Sequence, residues 1–351
     1  MRVLIVGEEA PGALADSYAR AFCSLGAEVA RLCTRRGARL GVPGAGTRAG
    51  RRLLAPLAAR ALNRRVRRAA AEGADLVLVV KGAELEAATV AALRRETGAP
   101  VVNVYPDDPF STLRSNRLRH GPAVLREYTR CFTFARHLLD AYARAGAAAS
   151  YLPFAWDEQL HAPRAAPEGA ETLDAVFVGN LDAERIRWLE AVDPARLAVF
   201  GEHTRAALSR GSRLARARFF PAVYGPDMAA LLARSRISLN VMRAQNAASH
   251  NMRSWESPAC GAFTLSQRTS ELADLFRDGE EVALAATPAE LGEAVEHWLA
   301  RPAERARVAA GGLRRVAGES YAARAATILR AVGLAAAVST PAAPAAPGSA
   351  A

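Results

Sequence analysis

A chain of 351 residues, 51% apolar and 23% charged, is long enough for two hydrophobic cores, and no run of about 18 apolar residues exists that would cross a membrane. The net charge of +11 is local: residues 29 to 71 hold twelve Arg and neither Asp nor Glu, so the rest of the chain is close to neutral. Four cysteines without metal or redox spacing, and a start at Met1 with no signal-peptide pattern, fit a reducing, cytoplasmic setting with free thiols.

The first predicted strand is Val3–Gly7, followed by a helix over Ala13–Leu25 closed by Gly26 and a second strand over Glu28–Leu32. Strand, helix, strand with apolar runs predicts a parallel sheet. The Arg-rich stretch Arg48 to Arg68 carries Leu53, Leu54, Leu57, Leu62 and Val66 on roughly one helical face, interrupted at Pro56. Its plain reading is a core-packed helix with a solvated basic face. Its sharper reading is contact with an anionic membrane surface or a phosphorylated acceptor, at about 1 kcal/mol per Arg near the surface. Nucleic acid is not expected, because no aromatic residues interleave with the arginines. Strands at Asp75–Val80, Pro100–Tyr105, Arg130–Phe134 and Ala149–Leu152 complete a doubly wound domain over residues 1–152.

Residues 153–170, rich in Pro, Ala and His, read as a linker. A second doubly wound domain is predicted over 171–318. Its strands are Ala175–Gly179, Leu197–Phe200, Ile237–Val241 and Ala262–Leu265, and its helices include Ala183–Ala191, Asp227–Arg234 and Ser254–Cys260, the last stopped by Gly261. Thr287-Pro288-Ala289-Glu290 is a capping-box helix start. A helix at Pro302–Ala310 follows, then one at Tyr321–Val332 within a C-terminal segment 319–334 expected to pack back on the first domain. The Ala, Pro, Ser and Gly tail, 335–351, cannot bury a core and is expected to be disordered.

Chemistry-bearing residues gather at predicted strand ends, where open α/β sheets place ligands. In the first domain these are Lys81, a candidate for a phosphate, and Asp107 and Asp108, candidates for binding a hydroxyl or acting as a base. Their plain readings are a strand-end charge and an Asp-Pro turn. In the second, Gly179 and Asn180 form a tight turn whose N–H groups can approach a diphosphate that Arg185 would neutralise. Glu202 and His203 end the next strand, and Tyr224-Gly225 can pass under a planar base or form a simple turn. The helix start at Asn251–Ser254 offers amide N–H groups to an anion, His250 and Arg253 add donors, and Glu256 can accept from a diol. Each charge-assisted hydrogen bond of this kind contributes about 1.5–3 kcal/mol. The turn Gly7-Glu-Glu-Ala-Pro-Gly12 is not the Gly-x-Gly-x-x-Gly fingerprint, which argues against a nicotinamide enzyme.

The run Asn251-Met-Arg253-Ser-Trp255-Glu256-Ser-Pro-Ala-Cys-Gly261-Ala-Phe263, with Glu271, Leu275-Phe276, Gly279 and, upstream, Phe177-Val178-Gly179-Asn180 and Leu152-Pro153-Phe154, resembles CgeB-type (spore-maturation) glycosyltransferases, relatives of the group 1 family. The resemblance covers residues 150 to 330 well and the N-terminal half weakly. It implies the GT-B architecture, two Rossmann-like α/β domains facing a cleft. It also implies a nucleotide-sugar donor held by the C-terminal domain, retention of configuration, and neither an obligatory metal nor another cofactor. The donor ligands expected are Gly179, Asn180, Arg185, Tyr224, Asn251, Arg253 and Glu256, and the catalytic candidates are Asp107, Asp108, His250 and Arg253. In group 1 enzymes two Glu lie eight positions apart and the second contacts the donor ribose. Glu256 matches the second, and the first falls on Ala248. The expected activity is sugar transfer to an unknown acceptor, in the cytoplasm or peripherally at a membrane. Two alternatives are a catalytically inactive nucleotide-sugar-binding protein and a nucleotide-sugar epimerase of similar fold.

Overall fold

The computed structural model describes residues 1–34, 48–113, 116–202 and 205–335, with residues 48–55 as backbone only. They form two compact units, one of Met1–Pro153 together with residues 322–335, the other of Phe154–Tyr321.

The first unit runs β1 (Arg2–Gly7), α1 (Leu14–Ser24), β2 (Glu28–Cys33), α2 (Arg48–Ala71), β3 (Leu76–Val80), α3 (Ala87–Thr97), β4 (Val101–Tyr105), β5 (Arg130–Thr133), α4 (Leu139–Arg144) and β6 (Ala149–Tyr151). The sheet order is β2-β1-β3-β4-β5-β6 and every pairing is parallel. β3 and β4 are buried at every position, as the central strands of a parallel sheet are when helices cover both faces, and β4 holds Asn103 as its one strongly polar residue. At the end of β1, a Cβ on Gly7 would lie 2.5 Å from Ala15 Cβ, so only glycine lets α1 sit this close to its strand.

The second unit runs β7 (Leu173–Val178), α5 (Ala183–Leu189), β8 (Leu197–Phe200), β9 (Arg218–Phe220), α6 (Gly225–Ala233), β10 (Ser235–Asn240), α7 (Arg253–Ala259), β11 (Thr264–Gln267), α8 (Ser270–Leu275), β12 (Ala283–Ala285), α9 (Pro288–Leu299) and α10 (Pro302–Val316). Its parallel order, β12-β11-β10-β7-β8-β9, reverses direction between β7 and β10. Thr287 caps α9 through its hydroxyl, which accepts from Glu290 N, while the Glu290 carboxylate reaches back to Ala286 N at 2.8 Å. The last helix, α11 (Tyr321–Ala331), lies from residue 322 on in the first unit, where Arg324 Nε donates to Pro153 O at 3.0 Å. The tail expected to be disordered lies, from residue 336 on, outside the described residues.

Three features differ from the sequence reading. β9 and β12 were not expected, because three-residue strands are too short to show a period. Residues 154–161, inside the stretch read as linker, are folded into the second unit, with Phe154, Ala155, Asp157 and His161 all buried. Trp156 fixes them: its Nε1 donates to Val316 O at 2.7 Å and its carbonyl accepts from Tyr321 N. Finally, α2 continues through Pro56, and its apolar face points inward: Ala59, Leu62, Val66 and Ala70 are buried, while Leu57 is exposed with Arg60, Arg64, Arg67 and Arg68. The side chains of Leu53 and Leu54 lie outside the described residues.

Candidate functional site

In open parallel sheets the reversal of strand order, here between β7 and β10, is where ligands bind, beyond the C-terminal ends of the strands. β7 leads into Gly179, whose N–H donates to Phe200 O at 2.8 Å, and into Asn180, whose Oδ1 accepts from Glu202 N at 2.9 Å. These bonds tie the ends of β7 and β8 together. Asp182 then caps α5 by accepting from Arg185 N at 3.0 Å, so Arg185 stands in the first turn.

Two guanidinium groups cross these strand ends, Arg185 from after β7 to the end of β10 and Arg253 from after β10 to the end of β7. Arg185 Nε donates to Val241 O at 3.0 Å and its Nη1 to Asn180 O at 2.9 Å. Arg253, opening α7, directs Nε at Val178 O at 3.4 Å. Arg243, in the loop after β10, adds a third cation, its Nε 3.8 Å from Asp182 Oδ2. The Arg185 guanidinium is pulled down to about 10, by burial first and then by the positive charges of Arg243 and Arg253, with Asp182 opposing. A cluster of like charges that burial already disfavours is an environment that an anion would relieve.

Tyr224 stands at the rim, 37% exposed, its hydroxyl donating to Glu202 Oε1 at 3.1 Å. Partial burial and then Glu202 raise its pKa, with Arg253 opposing. The structure thus brings Gly179, Asn180, Arg185, Tyr224 and Arg253 to one edge of one sheet.

Three expected roles change. Glu256 is only 2% exposed, with one carboxylate oxygen on Arg253 Nη1 and the other 3.8 Å from His161 Nε2. It lies beneath Arg253 and is not open to a diol. Asn251 caps α7: its Oδ1 accepts from Ser254 N at 3.1 Å and its Nδ2 donates to Asn240 Oδ1 at 2.8 Å. The Ser254 amide expected to be open to an anion is therefore occupied, and α7 is only seven residues long. His250 has no exposed surface: its Nε2 accepts from Phe154 N at 3.1 Å, Nδ1 lies 3.7 Å from Glu271 Oε1, and Phe154 and Trp255 meet the ring edge-on. It is a core ring remote from solvent. Neither Arg243 nor His161 stands out in the sequence, although Arg243 lies two residues beyond the predicted strand Ile237–Val241, at a strand end as Lys81 does.

In the first unit, Lys81 Nζ lies 2.7 Å from Asp107 Oδ2 at the ends of β3 and β4. Lys81 has φ 64°, the one positive φ at a non-glycine among the described residues, and Asn103 Nδ2 secures it by donating to both Val79 O and Lys81 O. Asp108 Oδ1 accepts from Phe110 N at 2.9 Å, so Asp108 forms the turn at Pro109. His203 lies outside the described residues.

Residues 170–330 match the family model described as glycosyl transferase-like. Among solved structures, sucrose-phosphate synthase from Thermosynechococcus elongatus superposes with a TM-score of 0.69 at 14% identity, over 96% of this chain and 99% of that one. Anabaena HepE in complex with UDP-glucose gives 0.64 at 13%, over 95% and 99%. T4 phage BGT in complex with its UDP-glucose substrate gives 0.59 at 12%, over 95% and 99%. At such identities the likeness is one of fold, and the fold is GT-B. No curated protein sequence matches the chain.

Proposed function

We propose that this protein is a glycosyltransferase of the CgeB type that holds the diphosphate of a nucleotide-sugar donor at the β7/β10 strand ends and transfers the sugar to an acceptor. The observation that carries this reading is the gathering of Arg185, Arg243 and Arg253 at the C-terminal ends of β7 and β10, with the Arg185 pKa depressed by burial and by its neighbours. Glycosidic cleavage places negative charge on the departing diphosphate, and fixed guanidinium groups stabilise that charge without reorganising. The Gly179–Asn180 turn offers backbone groups to the phosphates, and Tyr224 with Glu202 forms the rim assigned to base or ribose. Glu256 acts beneath the surface, by orienting Arg253. In the first unit we assign Asp107, held by Lys81, to the acceptor hydroxyl, with Asp107 as proton acceptor.

HepE and BGT were crystallised with UDP-glucose, which makes UDP-sugars the first donors to test. Saturation-transfer NMR against UDP-, GDP- and dTDP-sugars at millimolar concentration should detect binding of at least one, and acceptor-dependent release of the nucleoside diphosphate should follow. No binding across the panel refutes the assignment.

One observation favours a second reading. Ala248, at the position of the first group 1 Glu, is exposed without a carboxylate, and its carbonyl accepts from Ser270 Oγ at 3.1 Å. A protein that binds the donor without turnover fits that site. Binding with no nucleotide release, whatever the acceptor, would select this reading.

A further inference from the structure

His161 is 5% exposed and belongs to the buried segment that the sequence disguises as a linker. A one-turn fold holds it: Asp157 O accepts from Leu160 N at 3.0 Å and from His161 N at 2.8 Å, and Asp157 Oδ1 accepts from Gln159 N at 3.1 Å. The ring itself is fixed by a backbone donor, because Asp157 N donates to His161 Nδ1 at 3.1 Å. An Nδ1 that accepts carries no proton, so in the neutral ring the proton sits on Nε2. Nε2 is the atom that faces Glu256 Oε1, at 3.8 Å. The other Glu256 oxygen is taken by Arg253 Nη1.

We infer that His161 is a positioning residue for the donor site: its Nε2–H face fixes the Glu256 carboxylate, which in turn aims the Arg253 guanidinium at the ends of β7 and β10. This rests on the reading of Arg253 as a diphosphate ligand. Two distant parts of the sequence, Asp157–His161 and the first turn of α7, thus form one line from the backbone of Asp157 through His161 and Glu256 to Arg253. Neither Glu256 nor His161 need touch the nucleotide. The carboxylate is buried, where the low local dielectric strengthens its attraction to the Nε2–H dipole at 3.8 Å.

The test uses the full chain, with UDP as probe. Glutamine can present its amide nitrogen where Nε2 stands, whereas asparagine mimics Nδ1 and falls short of Glu256. His161→Gln should keep UDP affinity within about twofold, and His161→Asn should weaken it about tenfold. Thermal midpoints of both variants establish that they are folded. Long-range proton–nitrogen NMR of the wild type should show the Nε2–H tautomer. In the Glu256→Gln background, His161→Asn should add nothing further. An Nδ1–H tautomer, equal UDP affinity in wild type and His161→Asn, or equal loss in folded Gln and Asn variants would overturn the inference. Arg253→Ala separates the two levels. If it binds UDP as wild type does, the donor-site reading itself fails. If it loses UDP while His161→Asn does not, only the role of His161 fails.

Discussion

At neutral pH the Arg185 guanidinium is charged beside Arg243 and Arg253, in a place where burial already opposes charge. Its folded pKa, about 10, is below the ordinary guanidinium value. The unfolded chain therefore binds the proton more tightly: the penalty is present at neutral pH, and stability from this group rises only as pH climbs through that interval. The hydrogen bonds to Val241 O and Asn180 O offset the penalty. Replacing Arg185 by Met removes penalty and bonds together, so the thermal midpoint should move little. UDP affinity should fall by about ten- to a hundredfold, the equivalent of about 1.5–3 kcal/mol. Calorimetric titration with a parallel melting curve checks both. A large drop in midpoint with unchanged affinity would make Arg185 a structural residue.

Helix α10 packs by its glycines. A Cβ on Gly311 would sit 2.0 Å from Glu280 O, and one on Gly312 2.4 Å from Glu281 O. Gly311→Ala should therefore destabilise the protein by about 1–3 kcal/mol through overpacking, despite the better helix propensity of Ala. A denaturant midpoint equal to wild type would contradict this. Helix α2 makes a different prediction. Its exposed Arg60, Arg64 and Arg68 are one turn apart, with Leu57 on the same side. If that row meets an anionic surface, sedimentation with phosphatidylserine vesicles should exceed that with neutral vesicles and fall with added salt. Replacing the three by Glu should abolish the difference, and equal sedimentation with both vesicle types would reduce α2 to a solvated face.

These same elements explain what could be read from sequence. Leu76–Val80 declares a buried parallel strand by its unbroken apolar run, Val101–Tyr105 does so with Asn103 as its one break, and Thr287 with Glu290 declares a helix start by local bonding. None needs knowledge of distant residues. Depth is another matter. A carboxylate at the fourth position of a short helix reads alike whether it faces solvent or core, and the partner that seals Glu256, His161, comes from a segment without periodicity. His250 misled for the same reason: its neighbours Phe154 and Glu271 are adjacent only in the fold.

At the scale of the molecule, α11 lies from residue 322 on in the unit that holds β1. α11 buries Ala325, Ile328 and Leu329. Leu329→Ala should cost about 2–5 kcal/mol as a cavity, and hydrogen exchange should quicken in β1 and β3–β6 more than in β7–β12. Uniform quickening would contradict the two-unit division. That division also bears on the donor, because every residue assigned to the diphosphate lies within Phe154–Tyr321. Hydrogen–deuterium exchange of the full chain with and without UDP-glucose tests this most directly. The strongest protection should fall on 178–185 and 241–256. Protection that bypasses both stretches, with binding independently demonstrated, would contradict the account.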